Sequence, residues 1–238
     1  MKKKSIPEVY LFFYFLTFII GGIVLLNVPK GDYELFINRH HFLLADLFFS
    51  LVTHIGDGLI FLAVFPVLLL YRFAHGLLCV FNAAIHMVLS VILKRMVFVH
   101  SPRPAEFFKD IDLVEIAGVP MYHWHSFPSG HTATAFALMT MLAMLYPKRH
   151  RLQVVFLLVA VLVGFSRVYL MQHFIADVLA GSVIGVSSAF AARVIVRNYF
   201  KGKPYKKGLL RKKKVALSEL KPGFQPVRIR IRPWKWPF

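Results

Sequence analysis

Ser166-Arg167-Val168-Tyr169-Leu170-Met171-Gln172-His173-Phe174-Ile175-Ala176-Asp177 joins two apolar runs, residues 152–170 and 174–196. A helix opening near His173 places Asp177, four residues on, on the same face as the imidazole. A carboxylate there fixes one ring nitrogen as an N–H donor and leaves the other a free lone pair, the state a nucleophile needs. Arg167, ahead of that helix, offers a planar fork of donors that suits phosphate oxygens. A single His, Arg or Asp at a membrane boundary is ordinarily a satisfied interfacial group. The grouping therefore counts only if other segments bring matching parts to the same side.

The chain around this stretch is apolar throughout. Of its 238 residues 58% are hydrophobic and the mean hydropathy is +0.62, too apolar for one soluble domain. Apolar runs that can cross a bilayer occur at residues 10–28, 59–71 with help from the preceding apolar turns, 76–93, 132–146, 152–170 and 174–196. The fold class expected is all-α, a six-transmembrane-helix bundle with outer interfacial helices. Pro66 interrupts the second run, a kink that neighbouring helices tolerate. Met1-Lys2-Lys3-Lys4 before the first run also fits a signal peptide; the run's length, its aromatic content and the lack of a small-x-small cleavage site favour an uncleaved span. Cys79, alone in an apolar run, excludes an intramolecular disulfide.

Lys and Arg number 29 against 11 Asp and Glu, a net charge of +18. With the N-terminus in the cytoplasm, 22 of the 29 fall on the inner side, a positive-inside bias. The charge thus reports topology, and nucleic acid is not an expected partner. Lys30, Arg39, Lys94, Arg95, Arg103, Lys109 and Arg167 stay outside against that bias, and a site for an anionic substrate gives them a reason. The chain divides into a membrane domain, residues 1–197, and a basic cytoplasmic tail, 198–238. The tail is expected either to lie on anionic lipids, with Trp234 and Trp236 at headgroup level, or to be solvated.

Between the runs, residues 29–57 are amphipathic and read as an outer interfacial helix, with His40 and His41 solvated on it. Residues 106–124 read equally as a strand or an interfacial helix. No group at ligand spacing calls for a metal, and no cofactor is expected. Arg103, between Pro102 and Pro104, sits on extended backbone that fixes it better than an ordinary loop arginine. His123-Trp124-His125-Ser126-Phe127-Pro128-Ser129-Gly130-His131-Thr132 opens the fourth run. Ser126 or Ser129 can cap that helix, Gly130 lets its N-terminus approach an anion, and His131 in the first turn can give a proton to a leaving oxygen. The topology puts the end of run three and the starts of runs four and six on one side. Lys94, Arg103, Ser129, Gly130, His131, Arg167, His173 and Asp177 then share one outer-leaflet pocket. Small residues along run six, Gly181, Ser182, Gly185 and Ser188 among them, allow close packing within the bundle or in a homo-oligomer.

Lys94 with Arg103-Pro104, Pro128-Ser129-Gly130-His131, and Ser166-Arg167 with His173 and Asp177 resemble the three signature motifs of the type 2 phosphatidic acid phosphatase superfamily, which includes membrane lipid phosphatases and vanadium haloperoxidases. Eight residues separate Lys94 from Arg103 where the family has six, so either Lys94 or Arg95 can fill the first-motif position. The resemblance implies metal-independent hydrolysis in which His173 attacks phosphorus to give a phosphohistidine, oriented by Asp177. His131 would protonate the leaving group and then activate water; Lys94, Arg103, Ser129, Gly130 and Arg167 would hold the phosphate oxygens. It also implies a bacterial inner-membrane enzyme with a periplasmic site, acting on a lipid phosphate or pyrophosphate, with lipid A or undecaprenyl pyrophosphate favoured. A lipid-linked phosphotransferase and a non-catalytic lipid-phosphate binder or transporter are the alternatives.

Overall fold

The computed structural model describes residues 6–200 and 202–209; the basic tail from residue 210 lies outside them. Each of the six apolar runs forms a helix: α1 (Glu8–Asn27), α4 (Ile60–Tyr71), α5 (Phe73–Ile92), α7 (Gly130–Leu145), α8 (His150–Tyr169) and α9 (Ile175–Tyr199). The amphipathic segment after α1 forms two short helices, α2 (Asp32–Arg39) and α3 (Leu43–Val52), and α6 (Pro104–Phe107) is a single turn. No strand occurs among the described residues, so the segment read as strand or interfacial helix is α6 followed by irregular chain.

Length separates the six helices. Four of them, α1, α5 with its continuation to Val97, α8 and α9, are long and apolar enough to span a membrane; α3 and α4, bent by 56° at their junction, supply a fifth candidate. The remaining helix, α7, has 16 residues. At 1.5 Å per residue it is about 24 Å long, short of a hydrocarbon core of about 30 Å. Its apolar residues surround the axis, and 13 of the 16 are buried, as expected of a helix enclosed by others. It packs most extensively on α9, then on α8 and α5. The outer helices present large apolar side chains, including Phe12, Phe15 and Leu26 of α1 and Leu62 of α4, a surface suited to lipid.

Close packing at the centre depends on glycine. A Cβ on Gly185 would stand 2.4 Å from the Ala133 carbonyl oxygen and 2.7 Å from the Ala137 nitrogen, and one on Gly181 2.5 Å from the Ser129 carbonyl oxygen. α9 therefore lies against the backbone of α7, the close approach that small residues permit. Polar ties fix α1: Gln153 Oε1 accepts from the Tyr10 N–H at 3.1 Å, and Thr140 Oγ1 donates to Tyr10 Oη at 2.9 Å. Gly185→Ala should destabilise the protein by about 1–3 kcal/mol through overpacking, read as a lower thermal midpoint in detergent. Gly22→Ala, whose Cβ meets nothing within 4 Å, should not lower it.

Candidate active site

The end of α8 determines the position of the central stretch. Met171 takes a positive φ of 53°, a left-handed residue that ends the helix. The N–H groups of Gln172 and His173 then both donate to the Arg167 carbonyl, at 2.9 and 3.1 Å. Arg167 and His173 are thus tied through one backbone oxygen, a physical basis for their spacing. α9 begins at Ile175, two residues later than a helix opening at His173 would. Asp177 still meets His173, because its carboxylate folds back over the first turn to accept the Phe174 N–H at 3.0 Å. His173 Nδ1 lies 3.3 Å from the same oxygen, Asp177 Oδ2, which also accepts a hydrogen bond from Ser126 Oγ. Nδ1 is therefore the donor and Nε2 carries the lone pair.

His173 is 1% exposed. Burial first, then the positive charges of Arg103, Lys94 and Arg167, hold its pKa well below the usual imidazole value. It is the neutral base the sequence pattern requires.

The cations are held by neutral groups. Lys94 Nζ donates to the His125 carbonyl at 3.0 Å. Arg103 donates from Nε to the Trp124 carbonyl and from Nη1 to both the carbonyl and Oε1 of Gln172, at 3.0 to 3.2 Å. Arg167 Nη1 donates to Thr53 Oγ1 at 2.6 Å, while its buried Nε has no protein partner. None of the three forms an ion pair with a carboxylate among the described residues. Burial also lowers the pKa of Arg103. The set is a positive field with donors to spare.

A π-helical turn at Leu93–Val97 separates the two residues considered for the first motif. Lys94 reaches inward to the His125 carbonyl, and Arg95 is exposed. Ser129, not Ser126, caps α7: its Oγ accepts from the Thr132 N–H. A Cβ on Gly130 would meet nothing within 4 Å, so the space beside the first turn is open. His131 lines a cavity of about 570 Å³ together with Lys94 and Gly130. The Ser129 N–H donates to the Asp177 carbonyl at 3.0 Å, so the starts of α7 and α9 are joined directly. The eight residues therefore gather at one end of the bundle. His123 pairs with Glu106 at 3.1 Å and His41 with Asp46 at 3.0 Å.

Several supporting residues were not singled out from the sequence. Ser126, by sequence a candidate helix cap, bonds Asp177; Gln172 holds Arg103; Thr53, in a turn 114 positions away, holds Arg167. Glu34 of α2, 3% exposed, accepts the Ile175 N–H at 3.0 Å and so caps the start of α9; burial raises its pKa. No local pattern marks these residues, since each partner is distant in sequence.

The helical bundle thus holds a His–Asp pair beside three buried or half-buried cations at one end. The family model of the PAP2 superfamily matches residues 75–201, and the chain belongs to that superfamily. It is 38% identical over 76 residues to phosphatidylglycerophosphatase B of Bacillus subtilis, covering 29% of this chain and 37% of that protein. It is 39% identical over 62 residues to lipid A 1-phosphatase of Rhizobium etli, covering 26% and 25%. A putative phosphatidate phosphatase of Drosophila melanogaster matches over 93 residues at 39%, covering 34% and 24%. These alignments span between about a quarter and just over a third of the relatives' lengths. Among solved structures, Aquifex aeolicus LpxE superposes with a TM-score of 0.61 at 27% identity, covering 69% of this chain and 94% of that one. A phosphatidylglycerolphosphate phosphatase from Bacillus subtilis shares the fold, with a TM-score of 0.57 at 22% identity, covering 83% and 98%. The protein is accordingly a multi-pass membrane protein of a lipid phosphatase family.

The neutral state of His173 has a consequence for stability. An unfolded chain binds a proton there below about pH 6.5, whereas the native imidazole binds one only at much lower pH. The unfolded state then holds more protons, so stability is full above that range and falls as pH drops. The thermal midpoint of the wild type should decrease relative to His173→Asn between pH 7.5 and 5; parallel midpoints would contradict a buried neutral His173.

Proposed function

We propose that the protein is a bacterial inner-membrane phosphatase that releases phosphate from a lipid phosphomonoester or pyrophosphate at the periplasmic leaflet through a phosphohistidine. The observation that carries this reading is the field of three buried or half-buried cations, none paired with a carboxylate, around a neutral His173 whose Nε2 is free. Phosphoryl transfer needs in-line positioning and positive charge at the equatorial oxygens, and Lys94, Arg103 and Arg167 supply that charge in this reading, without a metal.

His173 Nε2 forms the N–P bond as the lipid P–O bond breaks, and the leaving oxygen takes a proton from His131. A bound phosphate dianion beside His131 favours its protonated form. Neutral His131 next takes a proton from water, whose oxygen attacks phosphorus; the N–P bond breaks, phosphate leaves and neutral His173 is restored. Gly130, at the start of α7, binds oxygen through its N–H and the positive helix end, while Ser129, whose own N–H is held by the Asp177 carbonyl, keeps that turn in place with its capping hydroxyl. Six crossings follow if the bent α3–α4 pair counts as one and the enclosed α7 as another. The positive-inside bias then places the site outside. Acylated lipid phosphates, such as those for which the relatives are named, and polyprenyl pyrophosphates are the substrate classes.

His173→Ala and His131→Ala should each abolish phosphate release while the protein still inserts and folds. Arg167→Ala should lower the rate by roughly two to three decades, about 2.7–4 kcal/mol of transition-state stabilisation by analogy with an oxyanion-hole donor. Phosphate release from a panel of lipid phosphates in detergent measures all three, and wild-type rates in either histidine variant would refute the mechanism.

A further inference from the structure

A second cavity, of about 360 Å³, lies at the end of the bundle away from His173, between the α4–α5 junction and the last turns of α7 and α9. Its volume is within the range of small-ligand sites. Most of its wall is apolar, with Leu78, Met144 and Phe200 among the lining side chains. Four basic side chains line it as well: Arg72 from the junction, His75 from the first turn of α5, and Arg193 and Arg197 from α9. The last two are four residues apart and so share one helix face. A helix-end arginine that only snorkels carries its guanidinium out to water; here Arg72 and Arg193 are half-buried, and His75 is 5% exposed. The chain beyond α9 doubles back to close one side. Tyr205 lines the cavity with its ring 5.4 Å from that of Phe200, and the Lys207 carbonyl accepts the Phe73 N–H at 3.0 Å.

We infer that this cavity binds an anionic phospholipid, distinct from the substrate, with its phosphodiester headgroup among the arginines and its acyl carbons along the apolar wall. Guanidinium groups match phosphate oxygens with paired donors, and an apolar surround strengthens the attraction. A soluble phosphate ester would leave that wall in contact with water, and a zwitterionic lipid would bring a further cation among three. In the proposed orientation this end faces the cytoplasmic leaflet, whose anionic lipids are drawn to basic pockets between helices. A bound lipid would join α5, α9 and the returning chain at a place that chemistry at His173 does not use. The inference therefore stands apart from the phosphatase reading.

The test is lipid retention by the purified full chain, delipidated in neutral detergent, titrated with phosphatidylglycerol or with phosphatidylcholine of the same acyl chains, and read by native mass spectrometry. Wild type should favour the anionic lipid by about tenfold, the order expected from one or two arginines at an anionic headgroup. Arg72→Gln with Arg193→Gln should bring that ratio towards one. Lys148→Gln with Arg151→Gln, which removes the same charge from exposed positions at the same end but outside the cavity, should leave it at the wild-type value. A photoreactive phosphatidylglycerol should label the start of α5 and the end of α9 in the wild type, a readout that does not depend on how either variant folds. Excess glycerol phosphate should not displace the lipid. Equal retention of the two lipids, an equal loss of preference in both double variants, labelling elsewhere, or displacement by glycerol phosphate would overturn the inference. So would release of the basic tail to protease in Arg72→Gln with Arg193→Gln at an unchanged lipid preference, since the chain's own tail would then be the occupant.

Discussion

The structure depends on one buried carboxylate oxygen. Asp177, 4% exposed, receives donors at Oδ2 from three places: Ser126 in the loop before α7, the Phe174 N–H at the start of α9, and His173 at the end of the α8–α9 turn. An isolated carboxylate would be costly at that depth, but donors directed at its ionised form offset the loss of water. The same three bonds define the fold at this end. They cap α9, anchor the loop leading to α7 and set the tautomer of His173. Removing any donor leaves a partly unsatisfied buried charge, so the geometry of His173 and local stability cannot be separated here.

The three cations follow from a related constraint. Pairing each with a carboxylate would have lowered the cost of burying them, and would also have neutralised them against a phosphate. Carbonyl oxygens and one hydroxyl hold them instead. A dipole orients a guanidinium or ammonium group and leaves its net charge in place, so the cations still repel one another. In the proposed reading a phosphate dianion would relieve that repulsion and give the orphaned Arg167 Nε a partner. Under that reading, affinity for phosphate would be stored in the arrangement of the protein before binding, as preorganised electrostatics requires.

The sequence made the helices legible because their signal is local: each apolar run appears as a helix within a few residues of its expected ends. Span counting was less direct. The enclosure of α7 by α5, α8 and α9 is a tertiary property, and it allows a 16-residue helix that length alone would not assign to a membrane. The gathering of Lys94, Arg103, His131, Arg167 and His173 at one end was legible because topology alone brings alternate helix ends together. The start of α9 was not, since Asp177 acts as a cap reaching backward rather than as a neighbour one turn along a helix. Nor could spacing decide between Lys94 and Arg95. The π turn shifts the helix register by a residue, and only the three-dimensional path shows which side chain faces inward.

The glycines of α9 connect packing to chemistry. Gly181 lies against the carbonyl of Ser129, the residue that caps α7, and Gly185 lies one turn further along, against Ala133. The two central helices are thus in backbone contact from the start of α7 onward. A side chain at either position would separate the helices, and the displacement would be largest in its effect at the Ser129 N–H to Asp177 carbonyl bond, which joins their first turns. Small residues in this bundle thus do more than permit close packing. They hold the first turn of α7, with Gly130 and His131, against the first turn of α9, with Asp177, so the relative placement of these residues is a consequence of how closely two backbones can approach.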